Sequence, residues 1–240
     1  MTIAIERIPM LADNYSWRLM ESSSGAIAIV DPAEAEPAAA AIDRAGGRLD
    51  LVLLTHHHDD HIAGASALAE TYGAKIVGNG ADARRLPKLS IALRDGETIP
   101  FGASQIRMID TPGHTVGHVA YLIGDAIAAC GDTLFSLGCG RMFEGTPSQF
   151  FASLHKLAAL DPATTLLCGH EYTLSNAAFA LSVDPTNAAL QARAAEVERL
   201  RAAGQPTLPV LLRDELATNP FLRAESPAAF ARLRAAKDKF

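Results

Sequence analysis

The sequence has little of what announces several common chemistries. Cysteine occurs three times in 240 residues, at Cys130, Cys139 and Cys168, with no CxxC spacing. That odd, scattered set argues against a disulfide framework, and a reducing cytoplasm is the expected compartment. No GxSxG stretch occurs, so a serine nucleophile on a sharp strand-to-helix turn is not expected. "GNGADA" and "GCGRMFEG" lack the third glycine, or the Gly-Lys-Ser/Thr, that nucleotide-binding loops require. No apolar run reaches about 18 residues, so no membrane span is expected. The start, "MTIAIERIPMLADNY", has an early acidic residue and no basic-then-apolar pattern, so no export signal is read there. A net charge of −6 argues against nucleic acid as a partner.

What is present is ordinary globular material. Apolar residues make up 49% and charged residues 20%, enough to bury a substantial core. The length suits a domain of about 150 to 200 residues with a smaller appendix. "TIAIERI", "YSWRLMES" and "AIAIVDP" alternate or run apolar as strands do, with "SSSG" as a turn. "AEPAAAAIDRAGG" reads as a helix and "DLVLL" as a short buried strand. "HIAGASALAETYG" reads as one helix ended by Gly73. "AKIVG", "SQIRMID", "HVAYLIG", "AIAAC" and "TTLLCGHEYT" read as further strands. "TPSQFFASLHKLAAL" reads as a helix with Thr146 as N-cap and Pro147 at its first position. After Tyr172 the chain turns Ala-rich and helical. The expected organisation is an α/β domain over residues 1–171 and a small helical domain over 172–240, with no internal repeat.

The densest chemistry lies in "LVLLTHHHDDHIAG". His56 and His58 are two apart, so an extended backbone points both to one side and His57 away. Asp60 and His61 follow as the chain turns into a helix. Neutral imidazole and carboxylate suit Zn(II), Fe(II) or Mn(II). One ion needs about four ligands, so the loop cannot close two sites alone. Three later segments share one design, a short apolar strand running into a glycine-containing loop. They carry His114 in "MIDTPGHTVGH", Asp132 in "AIAACGDTLF" and His170 in "TLLCGHEYT". Rigid strands aim the side chains of such loops. His118 is read as a supporting residue and His155 as an ordinary helix-face residue. The cysteines are read as small buried hydrophobes.

"THHHDDH" has the T-H-x-H-x-D-H form of the metallo-β-lactamase superfamily. "TPGHTVGH", "GDTLF" and "GHEYT" match its later metal-binding segments in the same order. With "GCGRMFEGT", "NPFLR" and "RLRAAKDKF", the whole chain resembles the glyoxalase II (hydroxyacylglutathione hydrolase) family. The resemblance implies an α/β fold of the αββα sandwich type with a small all-helical C-terminal domain that binds glutathione. It implies two divalent metal ions per chain, zinc foremost, with iron or manganese as alternatives. His56, His58 and His114 would serve one ion, and Asp60, His61 and His170 the other. Asp132 would bridge both, and Asp31 is a candidate for orienting the histidine loop.

The implied reaction is hydrolysis of S-(2-hydroxyacyl)glutathione, S-D-lactoylglutathione first, by a metal-bridging hydroxide, the second step of methylglyoxal detoxification. Asp60 would also orient or deprotonate that hydroxide. Arg141, Phe143, Tyr172, Arg234 and Lys237 match the family's glutathione-contacting positions. Arg141 stands where the family usually has Lys, and Phe143 where it often has Tyr. Arg keeps the charge with a different donor geometry, and Phe removes one hydroxyl. Arg234 and Lys237, i and i+3, share a face if the segment is helical. A monomer acting on a small-molecule glutathione thioester is expected. Two rival readings are a mononuclear-iron persulfide dioxygenase of the same superfamily and a metal-binding protein without turnover.

Overall fold

The structure is a computed structural model, and residues 2–240 are described. The chain packs as two compact units, residues 1–110 with 117–124, and residues 111–116 with 125–240.

The first unit begins with β1 (Ile3–Met10), β2 (Asn14–Glu21) and β3 (Ile27–Val30), paired antiparallel in sequence order. After α1 (Ala35–Arg44) the pairing turns parallel through β4 (Leu51–Leu53). Then come α2 (Asp59–Ile62), α3 (Ala65–Tyr72), β5 (Lys75–Asn79) and β6 (Ile91–Leu93). β7 (Thr98–Phe101), β8 (Ser104–Asp110) and β9 (Val119–Ile123) form an antiparallel meander.

The period-two rule explains the core. Ile27, Ile29, Val52 and Leu54 join Ala38, Ala41 and Ile42 of α1 and Ala65 and Leu68 of α3 in one apolar cluster. The alternate residues Ala28, Val30 and Leu53 are buried as well. Tyr121 of β9 donates its hydroxyl to the carbonyls of Leu54 (2.9 Å) and Val77 (3.3 Å), tying the meander to the ends of β4 and β5.

The second unit pairs β10 (Ile127–Gly131) in parallel with β13 (Thr165–Cys168). Between them lie a hairpin, β11 (Leu134–Phe135) and β12 (Gly138–Cys139), and α4 (Pro147–Ala158). Thr146 caps α4 through a reciprocal bond with Gln149, as the sequence led us to expect. α5 (Thr173–Val183), α6 (Ala188–Ala202), β14 (Val210–Leu211), α7 (Leu212–Thr218) and α8 (Pro227–Lys237) complete the chain. Among the described residues no helix is long and apolar enough to cross a membrane.

Three expectations need correction. β6 and β7 were not read as strands: β6 is three residues with an exposed centre, and Pro100 interrupts the four residues of β7. β14 is a two-residue strand inside the helical region, held by pairing antiparallel to β13 rather than by its own pattern. The single helix expected from His61 to Gly73 is broken into α2 and α3. The Gly64 N–H donates to Pro32 O at 2.9 Å, so it leaves the helical ladder. The Asp60 carbonyl it would have met accepts instead from Asn14 Nδ2 at 3.0 Å.

Gly64 has no room for a side chain. A Cβ there would meet Ala35 N at 2.7 Å and Pro32 O at 2.8 Å, both backbone atoms. Gly64→Ala is expected to overpack this contact by about 1–3 kcal/mol and lower the melting temperature by roughly 2–10 °C. Thermal unfolding followed by circular dichroism checks this, and an unchanged midpoint would show that the approach of the two backbones is not tight.

Candidate metal centre

In the first unit, Thr55 to His58 follow β4, and His58 is extended at φ −66° and ψ 140° where α2 begins. His56 and His58 therefore share a side, with His56 Nε2 and His58 Nδ1 3.1 Å apart. His57 points away, as expected. Its Nδ1 lies 3.6 Å from Asp82 Oδ2 and its Nε2 3.4 Å from Arg85. Asp59 is exposed.

Asp31 organises this loop. Its Oδ1 accepts the Thr55 N–H at 2.8 Å, and its Oδ2 accepts the Thr55 hydroxyl at 2.6 Å. Oδ2 also takes His61 Nδ1 at 3.0 Å. Because the Thr55 hydroxyl gives its proton to Asp31, its oxygen can accept from His56 Nδ1, 3.0 Å away. Both histidines are thus protonated at Nδ1, which leaves Nε2 lone pairs to bind an ion. Ligand atoms of Asp31, His56 and His61, all buried, lie within 4.8 Å of one another. Asp60 Oδ2 is 3.6 Å from His61 Nε2 and accepts from Asn14 Nδ2 at 3.0 Å. His118 stacks on His56 with centroids 4.8 Å apart, a supporting contact.

The second unit carries His114, Asp132 and His170, all buried. His114 Nδ1 donates to the Arg141 carbonyl at 2.7 Å, which again puts the ring's lone pair on Nε2. Asp132 Oδ2 is 3.6 Å from His114 Nε2 and 3.4 Å from His170 Nε2, so one carboxylate oxygen faces both rings. Gly140 permits this packing, because a Cβ would lie 2.0 Å from Asp132 O and 3.0 Å from His114 Nδ1. Tyr172 stacks on His170 with centroids 4.6 Å apart.

The donor chemistry fits divalent metal. His56, His61 and His114 are buried imidazoles whose Nδ1 atoms are held by protein acceptors, with the buried carboxylate of Asp31 in the first unit and of Asp132 in the second. The cysteines are free and buried. Burial pushes the Cys130 thiol up to about 12 and the Cys139 thiol up to about 11, as expected of apolar filler rather than of reactive groups. His155 is an exposed helix residue against Phe151.

The residues expected to meet a substrate all lie in the second unit. Phe143 is 60% exposed, Tyr172 is exposed, and the Arg141 side chain is 63% exposed. α8 is helical, as the Arg234–Lys237 spacing required. Arg234, however, is only 6% exposed and not a solvated helix end. Its Nη1 donates to the carbonyls of Cys139 (2.9 Å) and Gly140 (3.3 Å), and it lies over the Phe221 ring. Lys237 Nζ donates to Ser175 O and Oγ at 3.0 Å, and burial with the nearby Arg234 charge lowers its pKa.

Sequence reasoning missed Asn14 and Glu215. Glu215, fully buried in α7, accepts from Ser136 Oγ and Leu137 N–H at 2.7 Å and from Asn219 at 2.9 Å. It thereby holds the hairpin between Asp132 and Arg141. Burial pushes its carboxyl above the usual range. No local pattern signals either residue.

The fold and these donors define the metallo-β-lactamase superfamily, whose family model matches residues 16–170. ETHE1 from Myxococcus xanthus superposes with a TM-score of 0.74 at 23% identity, covering 98% of this chain and 90% of that one. The α/β metallo-β-lactamase fold with a helical C-terminal region is therefore established. A second model, described as the hydroxyacylglutathione hydrolase C-terminus, matches residues 171–240. The hydroxyacylglutathione hydrolase of Acidiphilium cryptum is 72% identical, over 98% of this chain and 96% of that protein. That of Methylococcus capsulatus is 51% identical, over 96% and 91%. The chain belongs to the hydroxyacylglutathione hydrolase family.

If Asp31 fixes both histidine tautomers, Asp31→Asn should cut Zn(II) affinity about 10- to 100-fold. Chelator competition measures this directly, and equal affinity in the variant would remove Asp31 from the metal site.

Proposed function

We propose that this chain hydrolyses S-(2-hydroxyacyl)glutathione thioesters, S-D-lactoylglutathione first, releasing glutathione and D-lactate in the second step of methylglyoxal detoxification. The observation that carries this reading is the 72% identity, over 98% of the chain, to a protein named hydroxyacylglutathione hydrolase. The intact set of imidazoles and carboxylates supports it. We assign His56, His58 and His114 to one ion, Asp60, His61 and His170 to a second, and Asp132 to both. Zinc is our first choice for both ions, because neutral imidazole and carboxylate suit it. Residues 1–171 would form the catalytic domain and 172–240 the glutathione-binding domain, in a cytoplasmic monomer.

Divalent ions held by these residues would supply hydroxide near neutral pH and polarise the thioester carbonyl. The chain's residues do the rest. Asn14 fixes the Asp60 carboxylate, which orients the attacking water and takes its proton. Asp31 and the Arg141 carbonyl hold the imidazoles in their binding tautomers. The leaving thiolate has a conjugate acid with a pKa of about 8.5, so it departs without a dedicated general acid. Arg141 and Lys237 meet the anionic tripeptide, with Phe143 and Tyr172 as apolar walls. Arg234 contributes by holding the backbone at residues 139–140, from which Arg141 projects.

The test is to measure metal per chain and hydrolysis of S-D-lactoylglutathione. Two ions per chain and loss of thioester absorbance are expected. Two ions without hydrolysis would overturn the reading, and one iron with oxygen uptake on glutathione persulfide would replace it with the dioxygenase. Asp60→Asn is expected to lower kcat about 10²- to 10⁴-fold. Full turnover with both ions retained would exclude Asp60 as the base.

A further inference from the structure

Asp238 sits where local rules disfavour it. It is the C-cap of α8, at the end of the helix whose carbonyl dipoles repel an anion. It also follows Arg234 by four residues, and an acid placed after its base is the less favourable order for a helical ion pair. A residue that breaks local preferences and is nonetheless held in place marks a position kept for another reason.

The holding contacts are specific. Asp238 Oδ1 accepts from Arg234 Nε at 3.1 Å and lies 3.0 Å from Arg234 Nη2. The same oxygen stands 3.7 Å from Nε of Arg141. One carboxylate therefore faces two guanidinium groups of opposite character. The Arg234 side chain is 7% exposed and anchored on the carbonyls of residues 139 and 140. The Arg141 side chain is open to solvent, with its guanidinium 6.0 Å from the centre of the Phe143 ring.

We infer that Asp238 is an internal competitor for the substrate's carboxylate, facing the Arg141 guanidinium at Nε in the free enzyme and yielding it to glutathione. This rests on the reading of the substrate as a glutathione thioester. The contact to Arg141 is longer than the roughly 2.7–2.9 Å of a strong charge-assisted hydrogen bond, so it is easily exchanged. The contact to Arg234 is tighter, so Asp238 stays in place while the long Arg141 stem turns to an incoming carboxylate. Exchange of one carboxylate for another keeps the Arg141 charge paired throughout. A thioester whose thiol portion carries no carboxylate cannot make the exchange and leaves the Arg141–Asp238 pair intact. Asp238 therefore tunes affinity: it opposes only those ligands whose carboxylate must displace it from Arg141, and leaves the others unaffected.

Asp238→Asn separates this role from a purely structural one. Removing an exposed ion pair that competes with substrate is expected to lower KM for S-D-lactoylglutathione, and Ki for glutathione, about 1.5- to 5-fold. The gain should vanish in an Arg141→Ala background and with a substrate whose carboxylates are esterified. If Asp238 serves only to hold Arg234, KM rises or stays constant in Asp238→Asn, and the proposal is overturned. Should Asn at 238 loosen α8, seen as a fall in Tm, Asp238→Glu keeps the charge and extends it toward Arg141. KM then rises if the competition exists and is unmoved if it does not. Arg141→Ala alone tests the underlying reading. An unchanged KM there means that Arg141 does not meet the substrate, whatever Asp238 does.

Discussion

The Asp31 carboxylate is the contact on which the first unit's chemistry depends. Three donors converge on its two oxygens, the Thr55 amide, the Thr55 hydroxyl and His61. Through that hydroxyl it also governs His56. Asp31 reaches this position because its backbone leaves β3 in the left-handed region, at φ 48°, while its N–H still donates to Leu53 O. Such a conformation costs an L-residue about 1–2 kcal/mol, and Asp tolerates it better than most because its short side chain can bond locally. The parallel pairing of β3 with β4 then brings the ends of both strands side by side. The strain and the sheet register together place a carboxylate beneath the histidine loop.

The second unit meets the same requirement by different means. Its orienting acceptor for His114 is a backbone carbonyl, that of Arg141. That residue is held by its surroundings rather than by its own side chain. Glu215 of α7 and Asn219, the C-cap of that helix, fix the hairpin just before it, Asn219 donating to Phe135 O at 3.1 Å and Gly138 O at 2.9 Å. Arg234 of α8 fixes the carbonyls of residues 139 and 140. A buried carboxylate without its acceptor bonds filled would be costly, and Glu215 has three donors. The C-terminal helices thus do more than offer a surface. They hold the segment whose carbonyl orients His114 and whose Arg141 side chain faces solvent.

This division explains what could be read from the sequence. Elements with local signals were legible: the alternation of β1, the Thr146–Pro147 start of α4, and the i, i+2 placement of His56 and His58. The ligand types were legible because imidazole and carboxylate at strand ends carry chemistry wherever they fall. What was not legible depends on partners far along the chain. Asn14 acquires its role from Asp60, 46 residues on. Glu215 acquires its role from Ser136, 79 residues back. The break at Gly64 is set by its close approach to the backbone of Pro32 and Ala35, which no helical period records. Arg234 matched a glutathione-contacting position in the sequence, but its burial and its hold on the carbonyls of residues 139 and 140 could not be read there.

Charge placement follows from the same arrangement. A chain of net charge −6 repels an anionic tripeptide at long range, so attraction must be local and partly desolvated to escape screening. Lys237 is half-buried, pinned to Ser175, with its Nζ 5.4 Å from the centre of the Phe179 ring and 5.3 Å from that of Phe240. Its lowered pKa is the consequence, since burial and the Arg234 charge both oppose its ammonium form. An anion beside Lys237 restores what burial and Arg234 remove, so the group gains more from a bound carboxylate than an exposed lysine would. Burying Arg234 therefore serves two ends. It anchors the backbone that carries Arg141, and its charge, after burial, lowers the pKa of Lys237.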